Sequence, residues 1–240
     1  MQSEKLASVG QLAAGVAHEL NNPLGGILLF TNILLQKLEN SPNEDALKKV
    51  ANEAERCRTI VQGLLDFSRQ STMKRQEADV NQILDSTLAL VSEQALFQNI
   101  QIRRIFDPDT RCVFVDRLQL QQVFLNMLLN AAEAMNGRGQ ICLKTGNCVK
   151  DGRIYISIED NGPGMTEMTR KHLFDPFFTT KPVGQGTGLG LAIAYGILEK
   201  HQGEIKVESE MGQGCTFTLF LPARQAEKNI EKTSPHVKKT

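Results

Sequence analysis

Residues 186–191 read Gly186-Thr187-Gly188-Leu189-Gly190-Leu191 and open an apolar helical stretch that continues to about residue 201. A glycine-rich entry to a helix exposes backbone N–H groups and presents the positive end of the helix dipole, which favours phosphate binding. Taken alone, the loop is a weak signal, because a run of glycines is also compatible with simple flexibility. The interpretation therefore depends on the sequence around it.

The region from Gln76 onward alternates short β-rich runs with helical stretches. An Asp151-Gly152 pair and the stretch 211–214 each separate two strand-like runs, which is the signature of a β-hairpin. The helical stretches lie near residues 81–93, 117–135 and 189–201, and the strand-like runs near 100–105, 113–115, 141–149, 154–159, 205–208 and 216–221. This alternation predicts an α+β domain, a mixed sheet with helices on one face.

The region before it, from about residue 4 to residue 70, has helical periodicity with one interruption at residues 40–43. In its second part apolar residues alternate steps of three and four, namely Leu47, Val50, Ala54, Cys57, Val61 and Leu64. Such steps average the period of a left-handed helix bundle, so we predict a helical hairpin. Because two helices bury little apolar surface, pairing two hairpins into a dimeric four-helix bundle is favoured. We therefore expect a homodimer.

The domain boundaries follow from these changes of pattern. We predict a hairpin domain over residues 1–72 and an α+β domain over residues 76–222. Residues 223–240 are polar and aperiodic, and we predict that they form a disordered tail.

The composition excludes several classes of function. Lys plus Arg and Asp plus Glu each number 27, so there is no net field to attract nucleic acid or anionic lipid. The five cysteines are scattered without a Cys-x-x-Cys pair, which fits a reducing compartment better than a zinc or redox site. No apolar run approaches the roughly 20 residues of a membrane span. We expect a cytoplasmic location and no membrane contact from this piece, while a sensor or membrane domain before Met1 stays open.

The first candidate site is His-Glu-Leu-Asn-Asn-Pro at residues 18–23. At about 100° per residue, His18 lies about 200° around the helix from the apolar positions Val16 and Leu20, so it points outward. Glu19 can orient one ring N–H and leave the other nitrogen as a nucleophile. The competing interpretation is a solvated surface histidine without a role.

The same segment contains Asn22 and Pro23. Asn22 lies one helical turn beyond His18, where its amide can position a water molecule. Pro23 removes a backbone N–H and bends the helix beside the histidine, although a tolerated proline without function is the plain alternative.

Two further candidates lie in the α+β region. Asn126 and Asn130 are four residues apart on one helix face, and amide oxygens suit Mg²⁺, although the pair is also compatible with two solvated side chains. Asp160-Asn161-Gly162-Pro163-Gly164 ends a strand-like run, and its glycines permit a tight turn under a flat ligand. A plain turn would look the same.

Together and in this order, the motifs resemble the two-component sensor histidine kinases. The resemblance extends from about Ser3 to Pro222, and its wording is most similar to the nitrogen-regulator type. It identifies residues 18–24 as an H box, 126–130 as an N box, 160–164 as a first glycine box, 174–178 as an F box and 186–190 as a second glycine box.

The resemblance implies that the hairpin is a dimerisation and phosphotransfer domain and that the second domain has the ATP-binding fold of the GHKL type. His18 would be the phosphoacceptor, assisted by Glu19, and Asn22 would act in dephosphorylation of a response regulator. Asn130 would bind Mg²⁺, with Asn126 assisting. Asp160, with Thr216 helping, would bind the adenine of ATP. The other implied ATP contacts are the turn glycines Gly162 and Gly164 and the lid residue Lys181. The phosphates would be bound by Gly186, Thr187, Gly188, Leu189 and Gly190.

The resemblance also separates the competing functions. ATPase relatives carry a Glu as general base at the position of Asn126, and an amide cannot accept that proton. Transfer to His18, and then to an aspartate in the receiver domain of a response regulator, is therefore favoured over a GHKL-type ATPase or a silent dimer scaffold. Glu133 departs from the family pattern, because a basic residue is common at this position. The other histidines, His172, His201 and His236, are assigned no role.

Overall fold

The computed structural model describes residue 20 and residues 22–38, 41–68, 73–148, 151–182 and 186–224. His18 and Glu19 lie outside these residues, as does the predicted tail from residue 225 onward. Helix α1 covers residues 22–37 and helix α2 covers Glu44–Ser68. The predicted helical hairpin is confirmed.

The turn between α1 and α2 lies at Ser41, Pro42 and Asn43. The Ser41 side chain accepts a hydrogen bond from the Asn43 N–H (3.3 Å), and its carbonyl accepts one from the Glu44 N–H (3.1 Å). Glu44 and Asp45 place acidic groups in the first turn of α2, where they stabilise the helix dipole. The hairpin is thus fixed by local polar contacts as well as by its apolar stripe.

The α+β domain begins after the hairpin, and its described residues form seven strands, one short 3₁₀ turn at Ala95–Phe97 and four helices. The helices are α3 (Val80–Val91), α4 (Arg117–Ala134), α5 (Glu167–His172) and α6 (Gly190–Lys200). The strands are β1 (Gln76–Ala78), β2 (Asn99–Phe106), β3 (Val113–Val115), β4 (Arg138–Asn147), β5 (Arg153–Asp160), β6 (Glu204–Ser209) and β7 (Cys215–Pro222).

Five of these strands form one mixed sheet in the order β2-β4-β5-β7-β6. Only the β2–β4 pair is parallel, and the other three pairs are antiparallel. β3 does not join this sheet but pairs with β1, a strand that the sequence pattern did not indicate. Both predicted hairpin turns are present, at Asp151-Gly152 between β4 and β5 and at residues 210–214 between β6 and β7.

The core lies between one face of this sheet and helices α3, α4 and α6. Every second residue of the central strands points into it, and α4 is buried along a continuous stripe. Fully buried side chains include Ile83, Leu84, Leu88, Leu120, Phe124, Met127, Leu128, Ile141, Leu143, Ile154, Ile156 and Ile158. The predicted architecture, a mixed sheet with helices on one face, is confirmed.

The described part of the α+β domain continues two residues past the predicted boundary at Pro222. Ala223 forms an isolated bridge with Val113, and the Arg224 N–H donates to the Cys112 carbonyl (2.8 Å). Across the described segments, no helix is long and apolar enough to span a bilayer. All five cysteines are free thiols.

Candidate functional site

A cleft of about 810 Å³ opens between α4, the start of α6, the ends of β5 and β7 and the segment after α5. It brings together residues from six separate parts of the sequence, among them Asn52 and Glu55 of α2. Of the predicted residues, Asn126, Asn130, Asp160, Gly164, Lys181, Gly186, Thr187, Gly188 and Gly190 line it. Gly162, Leu189 and Thr216 are not among the lining residues.

Asp160 is the buried acid of this cleft. It is the last residue of β5, its side chain points to the helix side of the sheet, and only 6% of the residue is exposed. Burial raises the pKa of Asp160, while a hydrogen bond from the Gly162 N–H (2.9 Å) opposes the rise. A carboxylate in such a position can accept a hydrogen bond from an amino group on a flat ligand.

The turn after Asp160 requires its glycines. A Cβ on Gly162 would lie 2.8 Å from the Asp160 carboxylate, so Gly162 shapes the site without lining it. Gly164 has a φ of +70°, and a Cβ there would lie 1.9 Å from the Glu210 carbonyl oxygen. The first glycine motif therefore permits the chain to approach the β6–β7 turn closely.

Helix α4 supplies the two amides. It begins at the N-cap Asp116, whose carboxylate accepts from the Leu118 and Gln119 N–H groups. The Asn126 side-chain amide donates to the Gly190 carbonyl (2.9 Å) and so holds the start of α6. Asn130, one turn further, lines the cleft, and its side-chain amide makes no hydrogen bond to any residue that the structure describes. Of the pair, Asn130 is therefore the available oxygen ligand.

The second glycine motif is joined to the predicted F box through the backbone. The Phe177 N–H donates to the Gly188 carbonyl (3.0 Å), and both residues have positive φ, +67° and +64°. A Cβ on Gly188 would lie 2.4 Å from the Phe177 carbonyl carbon. The Leu189 N–H is hydrogen-bonded to the Thr187 hydroxyl (3.3 Å), and Leu189 is buried in the core. Leu189 thus anchors the loop, and its neighbours face the cleft.

Lys181 reaches into the cleft from the segment after the F box. Its ammonium group forms an ion pair with the Glu133 carboxylate, one turn beyond Asn130 on α4. Glu133, the residue that departs from the family pattern, therefore has a basic partner supplied by another segment. The cleft therefore contains a basic side chain, Lys181, that contacts α4 one turn beyond Asn130.

Comparison with known proteins identifies the two regions of the chain. Residues 8–73 match the family model described as the His Kinase A (phospho-acceptor) domain. Residues 115–225 match the model described as the histidine kinase-, DNA gyrase B-, and HSP90-like ATPase. The chain is also 41% identical over 221 residues to the signal transduction histidine-protein kinase AtoS of Escherichia coli (strain K12). The aligned region is 92% of this chain and 36% of AtoS.

The chain belongs to the two-component sensor histidine kinases. Two solved structures of the family resemble it over most of its length. Full-length ShkA, in complex with AMPPNP, aligns with a TM-score of 0.72 and 25% identity over 90% of this chain and 46% of ShkA. Histidine kinase ThkA, in complex with response regulator protein TrrA, aligns with a TM-score of 0.67 and 28% identity over 93% of this chain and 64% of that chain.

In this chain the strand position beside Asp160 is occupied by Cys215. Asp160 and Cys215 are register partners on β5 and β7, and both line the cleft. Thr216, which the sequence assigned to this place, pairs with Glu159 and lies on the opposite face of the sheet. Strand alternation would have found Cys215, because a shift of one residue reverses the face of a side chain.

Cys215 is a buried thiol rather than a reactive one. Burial, with the nearby Asp160 carboxylate as a second cause, raises the pKa of Cys215 to about 12. The thiol therefore stays protonated at neutral pH, and its small volume leaves room above the end of β7. Cys215 therefore contributes to the shape of the site rather than to its chemistry.

The donor set fits a divalent cation that is shared with a phosphorylated ligand. Within the described ranges no group of three or more His, Cys, Asp or Glu side chains could hold a metal ion. Mg²⁺ typically takes one or two protein oxygens and completes its shell with phosphates and water. The Asn130 amide oxygen in an otherwise open cleft is compatible with that arrangement.

Proposed function

We propose that the chain binds ATP in the cleft, transfers its γ-phosphoryl group to His18 and passes it on to an aspartate of a response regulator. The division of labour would follow the predicted domains, with the acceptor in residues 1–72 and the nucleotide in residues 76–222. The observation that carries the proposal is the convergence of Asp160, Asn130 and the loop at Gly186–Gly190 on one cleft, in a chain that also matches the phospho-acceptor model.

Each part of the cleft suits one part of ATP. The buried Asp160 carboxylate would accept a hydrogen bond from the adenine amino group, above the flat floor that Cys215 leaves. The phosphates would lie at the glycine loop, where α6 begins at Gly190. The first N–H groups of α6 and the positive end of its dipole would face them. ShkA was solved with the ATP analogue AMPPNP, which supports a nucleotide as the ligand of the related cleft here.

Asn130 is the proposed protein ligand of Mg²⁺. When bound, the cation would neutralise phosphate charge and hold the phosphates in one orientation. Asn126, which the sequence assigned as an assisting ligand, has its amide nitrogen on the Gly190 carbonyl and its oxygen near the Gln122 amide (3.4 Å). We therefore give Asn126 mainly the task of holding the phosphate loop against α4.

Lys181 would change partners when the nucleotide arrives. In the structure its ammonium group is paired with Glu133, a partly exposed pair that contributes little to stability. Phosphate oxygens carry more charge than one carboxylate, so Lys181 would move a short distance onto them. Glu133 would then hold the lysine ready in the cleft when no nucleotide is bound.

The transfer step can be written with its protons and electrons balanced. The unprotonated ring nitrogen of His18 attacks the γ-phosphorus, and a P–N bond forms while the bond to the β–γ bridging oxygen breaks. ADP leaves with that electron pair. Glu19, the next residue in the sequence, takes the proton from the other ring nitrogen and leaves a neutral phosphorylated imidazole.

Hydrolysis is disfavoured by the residue at position 126. An amide cannot accept a proton from an attacking water, and the Asn126 amide already holds Gly190. Because there is no carboxylate at that position, the γ-phosphoryl group would stay on ATP until His18 approaches. This argues against a GHKL-type ATPase as the main activity.

A response regulator is the proposed acceptor of the phosphoryl group. ThkA was solved in complex with the response regulator TrrA, which supports a receiver domain as the partner of this related chain. Asn22 is exposed on α1, where its amide can hold a water in line with a phosphorylated aspartate. We therefore propose that the chain also dephosphorylates its regulator.

A homodimer is supported by the apolar face of α1. Leu20, Ile27 and Leu34 recur at intervals of seven residues, and each is between 43% and 45% exposed. Phe30 on the same helix is 67% exposed. A stripe with a seven-residue repeat is the pattern of a helix bundle, and a second hairpin would cover it.

The proposed function is tested by incubating the chain with Mg²⁺ and ATP that is labelled at either the α- or the γ-phosphate. A histidine kinase retains label from the γ-phosphate alone, and the protein-bound phosphate is labile in acid and stable in base. Release of free phosphate without labelled protein would instead indicate the ATPase, and the absence of both would indicate a scaffold.

A further inference from the structure

His201, a residue without an assigned role, joins α6 to α4 at the end of the helices that lies away from the cleft. It caps the C-terminus of α6 and is only 4% exposed. Its Nε2 accepts a hydrogen bond from the Asp116 backbone N–H (2.9 Å), and its Nδ1 lies 2.7 Å from the Ile197 carbonyl. Because the Asp116 N–H can only donate, Nε2 must be unprotonated and Nδ1 must carry the proton.

The two helices are therefore linked by hydrogen bonds at two points. Near the cleft the Asn126 amide holds the Gly190 carbonyl, and at the far end His201 holds Asp116. The helices run antiparallel, and the stretch from Asp116 to Asn126 spans about 15 Å at the helical rise per residue. A shift at the His201 end would move the start of α6, where the phosphates would bind.

The junction between the hairpin and the α+β domain attaches at this same end. The Lys74 N–H donates to the Asp116 carboxylate (3.0 Å), and the Arg75 guanidinium donates to the Lys200 carbonyl. Residues 73–75 directly precede β1, so the chain enters the α+β domain from the hairpin through them. Asp116 thus contacts the junction through its side-chain carboxylate and His201 through its backbone N–H.

We propose that His201 is a positioning residue, whose neutral imidazole sets α6 against α4 and thereby couples the junction at residues 73–75 to the phosphate loop. The inference rests on the proposed nucleotide site. The charged groups that face His201 are the carboxylate of Asp116 and the cations of Arg75 and Lys200. Burial lowers the pKa of His201, in agreement with a neutral ring.

Acidification should break the hydrogen bond between the Asp116 N–H and His201 Nε2. A second proton on Nε2 would point at the Asp116 N–H, which would lose its acceptor inside the protein. The lowered pKa means that the unfolded chain takes up this proton first. The contribution of His201 to stability is therefore complete above the usual histidine value of 6.5 and is lost as the pH falls below it.

Two variants of the full chain separate positioning from packing. His201→Gln keeps an acceptor near the Nε2 position and cannot titrate, whereas His201→Leu keeps an apolar volume without an acceptor. The measurement is the Kd of a fluorescent ATP analogue with Mg²⁺ between pH 5.5 and 8, with far-UV circular dichroism as a check of folding. Both variants share every other titrating group with the wild type, including the phosphates of the probe.

We expect the wild type to lose affinity by about fivefold or more on acidification beyond the loss in His201→Gln, the lower end of typical coupling between sites. His201→Leu should bind weakly at every pH. Identical pH profiles for the wild type and His201→Gln would overturn the inference, even if His201→Leu fails to fold. No binding by the wild type at any pH would remove the proposed nucleotide site and this inference with it.

Discussion

Asp160 and Cys215 face each other across strands β5 and β7, and both side chains are buried where the cleft has its floor. The next pair along the strands, Glu159 and Thr216, points to the other side of the sheet. Adjacent residues of one strand therefore have different relations to the cleft, and substitutions on β7 can test this difference.

Cys215→Leu should weaken nucleotide binding, because the longer side chain would fill the space beside Asp160. Thr216→Leu adds a similar volume on the opposite face and should leave binding within about twofold of the wild type. Isothermal titration with ATP and Mg²⁺ compares the two. If Thr216→Leu were the damaging change, the assignment of the faces would be wrong.

Asp160→Asn should reduce ATP affinity by about tenfold to a hundredfold, because a hydrogen bond to a charged group contributes about 1.5–3 kcal/mol. The raised pKa means that ionising Asp160 in the fold opposes stability at neutral pH, so the nucleotide-free variant should melt no lower than the wild type. Glu159→Gln, which removes the neighbouring charge on the opposite face of the sheet and its surface pair with Lys144, is the matched control. Equal affinities in all three proteins would remove Asp160 from the site.

Gly188→Ala should disrupt the phosphate loop, because its φ of +64° is unfavourable for alanine and its Cβ would collide with Phe177. Gly196→Ala, within α6, meets no atom within 4 Å and should raise the free energy of unfolding by about 0.5–1 kcal/mol. Thermal melts and nucleotide titrations of both variants test the pair. Normal ATP binding by Gly188→Ala would show that the loop conformation is not required.

Asn22→Ala should retain much of the autophosphorylation and lose most of the phosphatase activity toward the phosphorylated cognate regulator. The reason is that a water-positioning amide is not needed to make His18 a nucleophile. Asn32→Ala, an exposed asparagine on the same helix, is the control. Equal loss of both activities in Asn22→Ala would point to a structural role beside Pro23.

The sequence predicted the fold and most of the cleft because the relevant signals are local. The glycine turns, the spacing of Asn126 and Asn130 and the helix periods each depend on neighbours a few residues away, and the structure brings them to one place. The resemblance implied Thr216 as a helper of Asp160, whereas the structure places Cys215 beside Asp160, since strand faces change at every residue.

Long-range contacts were beyond the reach of the sequence. His201 is held by a backbone N–H 85 residues away, and no side-chain pattern announces a backbone partner. Strand β1 is three residues long and exists through its pairing with β3, so it carries no periodicity of its own. Lys181 and Glu133 meet for the same kind of reason, across 48 residues.

The central claim is that His18 receives the γ-phosphoryl group of ATP from the cleft, and His18→Gln tests it most directly. Glutamine keeps a polar side chain but has no nucleophilic ring nitrogen. Phosphate incorporation from γ-labelled ATP and the Kd for ATP should be measured on the same preparations of the wild type and the variant. The account predicts that incorporation is abolished while the Kd stays within about twofold, because every proposed nucleotide contact lies beyond residue 76. Continued incorporation of acid-labile phosphate by His18→Gln would contradict it.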